Sequence, residues 1–362
     1  MLNITLLIDN LGSGGAQRQL VLLAKELSFL GHDVTLMTYS INEHMDYMLA
    51  DCNVKRYSLD TDKLSNTFKL IRVLKALNIQ SPDVLISYLD TPNKISAIYS
   101  FYNRKVKWIA SERNLSSDSV FSILWRKLAY KFATAVVSNS YAQEEWLLKN
   151  SIVNKTKSKV IWNGVYDDFF NIVKAESLDC KTVNFLSLGR LSYQKYPELL
   201  LQTIEIITKN NNLDLNFSWF GDDDPDSPNL RSDLERRSNM KKLPITFYQA
   251  NKSSHELLAK TNCLILTSRF EGTPNVVLEA MASGTFVIAP DIVDLPIILG
   301  DNERGFIFTQ NNSDSLVEVI ERFLSLTDVQ RRILSLNAQN YARLHFKSST
   351  LVRNYLEIIK ND

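Results

Sequence analysis

Short apolar runs alternate with longer amphipathic stretches through most of the chain. Residues 4–8, 34–39, 84–88, 108–110, 135–138 and 160–162 are almost wholly apolar and short enough to be buried strands. Between several of them, residues 16–30, 67–77, 120–132 and 142–149 carry apolar side chains at helical spacing. A strand covered on both faces has no polar side, so this alternation predicts a parallel sheet flanked by helices. Residues 172–181 are polar and without period, and read as a linker. The pattern then restarts, with strands at 183–188, 216–220, 245–248, 263–267 and 286–289, and helices near 197–208, 231–240, 255–260, 275–282 and 314–326. The tail, 328–359, is mostly helical with a break near 345–348. The expected organisation is α/β: a doubly wound, Rossmann-like domain over residues 1–170, a second over 171–347, and a terminal helix within 348–362.

Open sheets of this kind bind ligands beyond the carboxyl ends of their strands. One such end carries the densest chemistry in the chain. After the strand ending at Thr267, the sequence breaks at Gly272 and restarts as a helix, with Thr273 expected as its cap and Pro274 at its first position. The free N–H groups of a helix start, here near Asn275 and Val276, favour an anion such as phosphate. Glu271 precedes that helix, and Glu279 lies one turn beyond Asn275, on the same face. A phosphate site beside carboxylates that accept hydroxyl hydrogen bonds is a means of holding a sugar nucleotide.

The run from Glu271 to Glu279, in the context Glu-Gly-Thr-Pro-Asn followed by Glu-Ala-Met-Ala-Ser-Gly, resembles the donor-site signature of the family 4 glycosyltransferases. These are retaining enzymes of the GT-B fold, in which two Rossmann-like domains face each other across a cleft. Gly189-Arg190-Leu191 with Lys195 is similar to the family's Gly-Arg-Leu-x-x-x-Lys loop, although Tyr196 stands where the family often has Gly. The resemblance implies that Arg190 and Lys195 clamp the leaving diphosphate, and that Glu271 orients sugar hydroxyls. It implies that Glu279 holds the ribose, while Gly272, Thr273, Pro274, Asn275 and Val276 line the donor. Gly12-Ser13-Gly14-Gly15-Ala16, after the first strand, resembles the Gly-Gly-Ala loop that lies against donor phosphates and acceptor. Read without the family, it is a tight turn or a phosphate loop. Family members often place a histidine after a first-domain strand where this chain has Glu112, Arg113 and Asn114. No histidine is carried over; Arg113 and Asn114 are either a sugar or acceptor-phosphate contact, or a capped loop end. Trp162-Asn163-Gly164-Val165 resembles the element closing the family's first domain, as hinge or as ligand contact. In this family the last helix crosses back to the first domain.

Gly221-Asp222-Asp223-Asp224-Pro225 follows a strand and admits a divalent cation, but aspartates at a turn are the simpler reading. No metal and no cofactor are expected. The net charge of +1 argues against a nucleic-acid partner. Cys52, Cys180 and Cys263 are scattered, which fits a reducing compartment without structural zinc. A strand pattern opens at residue 2, so no signal sequence is expected, and no apolar run is long enough to span a bilayer. Residues 91–134, however, hold eight Lys and Arg against two acids, interleaved with aromatics. That composition suits either an anionic membrane surface or packed rings beneath solvated cations. The resulting expectation is a cytoplasmic, peripheral inner-membrane glycosyltransferase. It would take a nucleoside-diphosphate sugar, with uridine the favoured base, and a saccharide acceptor, lipid-linked (polyprenyl diphosphate favoured) or an oligosaccharide, in bacterial surface polysaccharide assembly (O-antigen or capsule). A GT-B nucleotide-sugar epimerase and a non-catalytic nucleotide-sugar-binding protein are the alternatives.

Overall fold

The computed structural model describes residues 1–113, 119–174, 182–210, 214–250, 253–300 and 302–360. The chain divides into two compact units, residues 1–164 with 347–362, and residues 165–346. The first break falls at Gly164, not at residue 170, because the 3-10 turn Asp167–Asn171 packs against the helix Asn275–Ala282 of the second unit. Most of the expected linker, 175–181, lies outside the described residues.

The first unit is a seven-stranded sheet. Its strands are β1 (Asn3–Ile8), β2 (Asp33–Thr38), β3 (Lys55–Ser58), β4 (Val84–Tyr88), β5 (Lys107–Glu112), β6 (Ala135–Ser138) and β7 (Ser158–Val160). They lie in the order β3-β2-β1-β4-β5-β6-β7, all parallel. Helices α1 (Gly15–Phe29), α2 (Asn66–Gln80), α3 (Asp90–Tyr102), α4 (Val120–Ala129) and α5 (Tyr141–Lys149) connect them. The last helix of the chain, α13 (Ser348–Lys360), belongs to this unit and packs on α1. Trp108 and Tyr88 are fully buried in its core. Gly164 sits tightly here: a Cβ would come within 2.9 Å of Leu22 and 3.0 Å of Leu351.

The second unit repeats the plan with β8 (Val183–Leu188), β9 (Leu215–Phe220), β10 (Ile245–Tyr248), β11 (Cys263–Ile265), β12 (Phe286–Pro290) and β13 (Phe306–Phe308). The order is β10-β9-β8-β11-β12-β13, again all parallel. Helices α6 (Pro197–Asn210), α7 (Leu230–Met240), α8 (Ser254–Ala259), α9 (Asn275–Ala282), α10 (Leu295–Leu299), α11 (Ser313–Ser325) and α12 (Asp328–His345) complete it. The core is rich in rings: Phe185 stacks on Phe217 at 4.7 Å, and Phe286 packs against Phe306 and Phe323.

Each sheet therefore has one point where the strand order reverses, between β1 and β4 and between β8 and β11. Ligands bind open sheets at such points. Four elements escape the sequence pattern. Strands β3 and β13 are four and three residues long and sit on sheet edges. Helix α10 has only five residues. Helix α3 carries Pro92 in its first turn, where the missing N–H has no helical partner to lose. Strand β7 also begins at Ser158, ahead of the expected residue 160.

Candidate active site

Two loops meet where β8 and β11 leave the second sheet side by side. The first, Gly189 to Tyr196, leaves β8. Gly189 has φ +144°, a conformation that side chains disfavour. Its carbonyl receives the Trp219 indole N–H at 2.8 Å, and a Cβ on Gly221 would lie only 1.9 Å from that same oxygen. Glycine at 221 is thus required by contact, since the β9 loop passes directly over the β8 loop. The second loop, Leu266 to Pro274, leaves β11. Three bonds tie the two loops together: Thr267 Oγ1 to the Lys195 carbonyl (2.8 Å), Arg269 N–H to the Gln194 carbonyl (2.8 Å), and Gln194 Nε2 to the Phe270 carbonyl (3.0 Å).

The result is that Lys195 Nζ sits 2.5 Å from Glu271 Oε1. The Ser268 hydroxyl donates to the same oxygen at 2.7 Å. Glu271 is largely buried, and among the described residues its other oxygen, Oε2, makes no hydrogen bond. The pair lies beside the start of α9. That helix begins at Asn275 with Pro274 as its cap (φ −73°, ψ 108°), so the expected cap at Thr273 and first helical position at Pro274 are each displaced by one residue. The first helical bonds come from Val277 and Leu278, both to the Pro274 carbonyl. The N–H groups of Asn275 and Val276 precede them and have no place in the helical ladder. Glu279 is buried on the same helix, and Gly272 is half-buried where the loop turns into it. Arg190 is exposed at the end of β8 and makes no hydrogen bond or ion pair among the described residues. Lys195 therefore meets a carboxylate here, while Arg190 stands open.

Tyr196 replaces the family's frequent glycine yet keeps the backbone that glycine would adopt, with φ +52°. A left-handed non-glycine residue costs about 1–2 kcal/mol. The Arg269 guanidinium lies 3.3 Å from the Tyr196 ring centroid and 4.4 Å from that of Tyr193. Such contacts contribute about 0.5–2 kcal/mol each, enough to offset the strain. Sequence reasoning missed Ser268 and Arg269; only the spacing to Glu271 pointed to the first, and nothing pointed to the second.

The acidic turn is committed to structure. Asp223 pairs with Arg231 at 2.7 Å, and Asp222 accepts from the Ala250 N–H at 3.2 Å. Among the described residues no group of three His, Cys, Asp or Glu is placed to hold a metal ion.

In the first unit, Gly14 caps α1 and Gly15 is its first residue, at the exit of β1. Arg113 lies beyond β5, 4% exposed, and its Nη1 donates to Asn163 at 2.8 Å. Asn114 lies outside the described residues. The basic segment is only partly a surface. Arg126 is buried and bonded to Glu112 at 2.8 Å, Lys107 donates to the Ile359 carbonyl, and Trp108, Tyr99 and Tyr130 are core residues. Exposed in this segment are Arg104, Lys105 and Lys131, one face of α4 with Val120, Phe121, Leu124 and Leu128, and the rings of Phe101 and Tyr102.

A helix start beside a Lys–Glu pair at a reversal point is a place where an open sheet can hold an anionic ligand. Residues 13–169 match the model of Glycosyltransferase Family 4, and residues 168–342 match that of Glycosyl transferases group 1. The chain belongs to this family and is a glycosyltransferase of the GT-B fold. Among its relatives is the Campylobacter jejuni GalNAc-alpha-(1->4)-GalNAc-alpha-(1->3)-diNAcBac-PP-undecaprenol alpha-1,4-N-acetyl-D-galactosaminyltransferase, 26% identical over 376 residues, covering 99% of this chain and 98% of that one. Another from the same organism is an N-acetylgalactosamine-N,N'-diacetylbacillosaminyl-diphospho-undecaprenol 4-alpha-N-acetylgalactosaminyltransferase, 23% identical over 342 residues and 90% of each chain. Anabaena HepE, crystallised with UDP, shares the fold with a TM-score of 0.84 at 18% identity, covering 99% of this chain and all of that one.

Proposed function

We propose that this protein transfers a sugar from a nucleoside diphosphate, uridine-linked, to a polyprenyl-diphosphate-linked saccharide, with retention at the anomeric carbon, in assembly of a bacterial surface polysaccharide. The observation that carries the reading is the Lys195–Glu271 pair at the reversal point of the second sheet, beside the α9 helix start. The named substrates of the two Campylobacter relatives, both undecaprenol diphosphate saccharides, support the acceptor class.

In this account the bond from the anomeric carbon to the diphosphate oxygen breaks while the acceptor oxygen bonds on the same face. The acceptor's proton passes to the departing phosphate. Lys195, Arg190 and the N–H groups of Asn275 and Val276 stabilise the negative charge that grows on that phosphate. Glu271 keeps Lys195 in place with Oε1 and offers Oε2 to a sugar hydroxyl. Glu279 takes the ribose hydroxyls, and Gly272, Thr273 and Pro274 shape the wall. No metal is needed where fixed cations and helix N–H groups carry the charge.

The reading also places the protein peripherally on the cytoplasmic face of the inner membrane. Helix α4 offers a contiguous apolar face, with Phe121 80% exposed. A groove of about 880 Å³, lined among the described residues by Arg104, Lys131, Lys157 and Lys159 against one acid, Glu357, adjoins the residues that follow α4. Apolar insertion beside cations suits an anionic lipid surface.

The test is Glu271→Ala. Turnover falls sharply with little change in KM, since the interaction strengthens toward the transition state. Near-normal transfer by the folded variant refutes the assignment.

A further inference from the structure

One charged group in the first unit is only partly satisfied by the described residues. Arg113 follows β5 and is 4% exposed. Its guanidinium lies over the ring of Tyr88, 4.0 Å from the centroid. Tyr88 is the last residue of β4, so Arg113 stands over the reversal point of the first sheet. The Tyr88 hydroxyl is 3.0 Å from that of Tyr355, which fixes the ring from below. Nη1 donates to Asn163 Oδ1, and Asn139 Nδ2 donates to the Arg113 carbonyl at 3.3 Å. Nε and Nη2 are buried and make no hydrogen bond among the described residues. Among the described residues no carboxylate pairs with Arg113. Tyr88 supplies no counter-charge either, because burial holds its phenol protonated.

Arg126 shows what the fold does with a buried arginine whose role is structural. It is bonded to Glu112 at 2.8 Å and to Asp90 at 3.2 Å. A buried cation without such partners is costly, and it persists where something outside the chain completes it. The free edge of a guanidinium presents two N–H groups in the geometry of a phosphate. At the exit of β1, on the other side of the same reversal point, the start of α1 at Gly15 also favours negative charge.

We propose that Arg113 receives the phosphate oxygens of a diphosphate ligand held at the carboxyl end of the first sheet. This rests on the transferase reading, in which both substrates carry a diphosphate: the donor's nucleoside diphosphate and the acceptor's prenyl diphosphate share the chemistry. The Tyr88 ring and Asn163 orient the fork. Arg113 is thereby a substrate-binding residue, with no carboxylate partner among the described residues until substrate arrives.

The experiment uses the full chain as wild type, Arg113→Met and Arg113→Lys. Melting temperature is measured without ligand, and titration calorimetry is run with pyrophosphate, a nucleoside diphosphate and a short prenyl diphosphate. Arg113→Met is expected to melt at or above the wild-type temperature without ligand, and to lose about tenfold or more in affinity for one of the two organic diphosphates. The one that weakens identifies the substrate. Arg113→Lys, which keeps the charge but not the fork, falls between. If Arg113→Met melts lower and binds all three probes as wild type does, or if Arg113→Lys alone is stable and binds all three unchanged, Arg113 is a structural cation and the proposal fails. Failure of the transferase reading looks different: wild-type protein then transfers no sugar, whatever Arg113 binds.

Discussion

Replacing Lys195 by Met removes the ammonium 2.5 Å from Glu271 Oε1 and keeps a stem of similar length. That stem matters, because it lies across Gly189, where a Cβ would come within 3.0 Å of Lys195 Cε. The variant leaves a largely buried carboxylate with the Ser268 hydroxyl as its remaining donor. Two charges 4 Å apart attract by about 4 kcal/mol at an effective dielectric constant near 20. Breaking one side of a fully buried pair costs about 3–5 kcal/mol. Here the two side chains are 19% and 9% exposed, so the loss sits near the lower limit, about 2–3 kcal/mol. Glu271→Gln removes the carboxylate charge from the other side. A double-mutant cycle on urea unfolding should return a coupling of about 1–3 kcal/mol. Initial rates test the second half. If Lys195 stabilises the departing phosphate, kcat/KM falls by about 10²–10³, the range for loss of one fixed charge-stabilising group. A coupling below about 0.5 kcal/mol, the limit for independent sites, together with near-wild-type transfer by Lys195→Met, refutes the geometry and the role at once.

Other outcomes follow from the same structure. Burial pulls the Lys174 amine down to about 7, while it donates to the carbonyls of Leu258 and Thr261 and to Thr285. Its folded value lies below the unfolded one of about 10.4, so the unfolded chain holds the extra proton between those limits and stability rises with pH there. The unfolding free energy of wild type minus that of Lys174→Met should therefore climb between pH 7 and 8.5, by at most about 1.4 kcal/mol per unit; a flat difference contradicts it. Transfer should survive EDTA, whereas loss of activity restored by Mn²⁺ would make Asp222 and Asp224 metal ligands. Phe121→Glu with Leu124→Glu should abolish co-sedimentation with anionic vesicles and spare transfer to a water-soluble acceptor; unchanged co-sedimentation rules out α4 as the docking face.

The doubly wound plan is legible in the sequence because buried parallel strands are apolar on both faces, as in Val84–Tyr88 and Phe286–Pro290. The Glu271 to Glu279 stretch is legible because a strand end, a glycine break and a helix start are all local. Pairings across the chain are not. Lys195 and Glu271 are 76 residues apart, and only the juxtaposition of β8 and β11 brings them together. Arg126 shares its basic segment with true surface cations, and its burial depends on Glu112 and Asp90 from two other elements. Tyr196 reads as a departure from glycine, although its backbone keeps the left-handed turn because Arg269 stacks on the ring. Likewise, nothing local distinguishes Arg113, whose Nε and Nη2 find no hydrogen-bond partner among the described residues.

The central claim is the transfer itself. Purified protein, a panel of UDP- and GDP-sugars, and polyprenyl-diphosphate saccharides are incubated together, and the product linkage is read by nuclear magnetic resonance. The account predicts one nucleoside diphosphate released per sugar transferred, with the new linkage in the anomeric configuration of the donor. An epimerised donor, an inverted linkage, or tight donor binding without any transfer would contradict it.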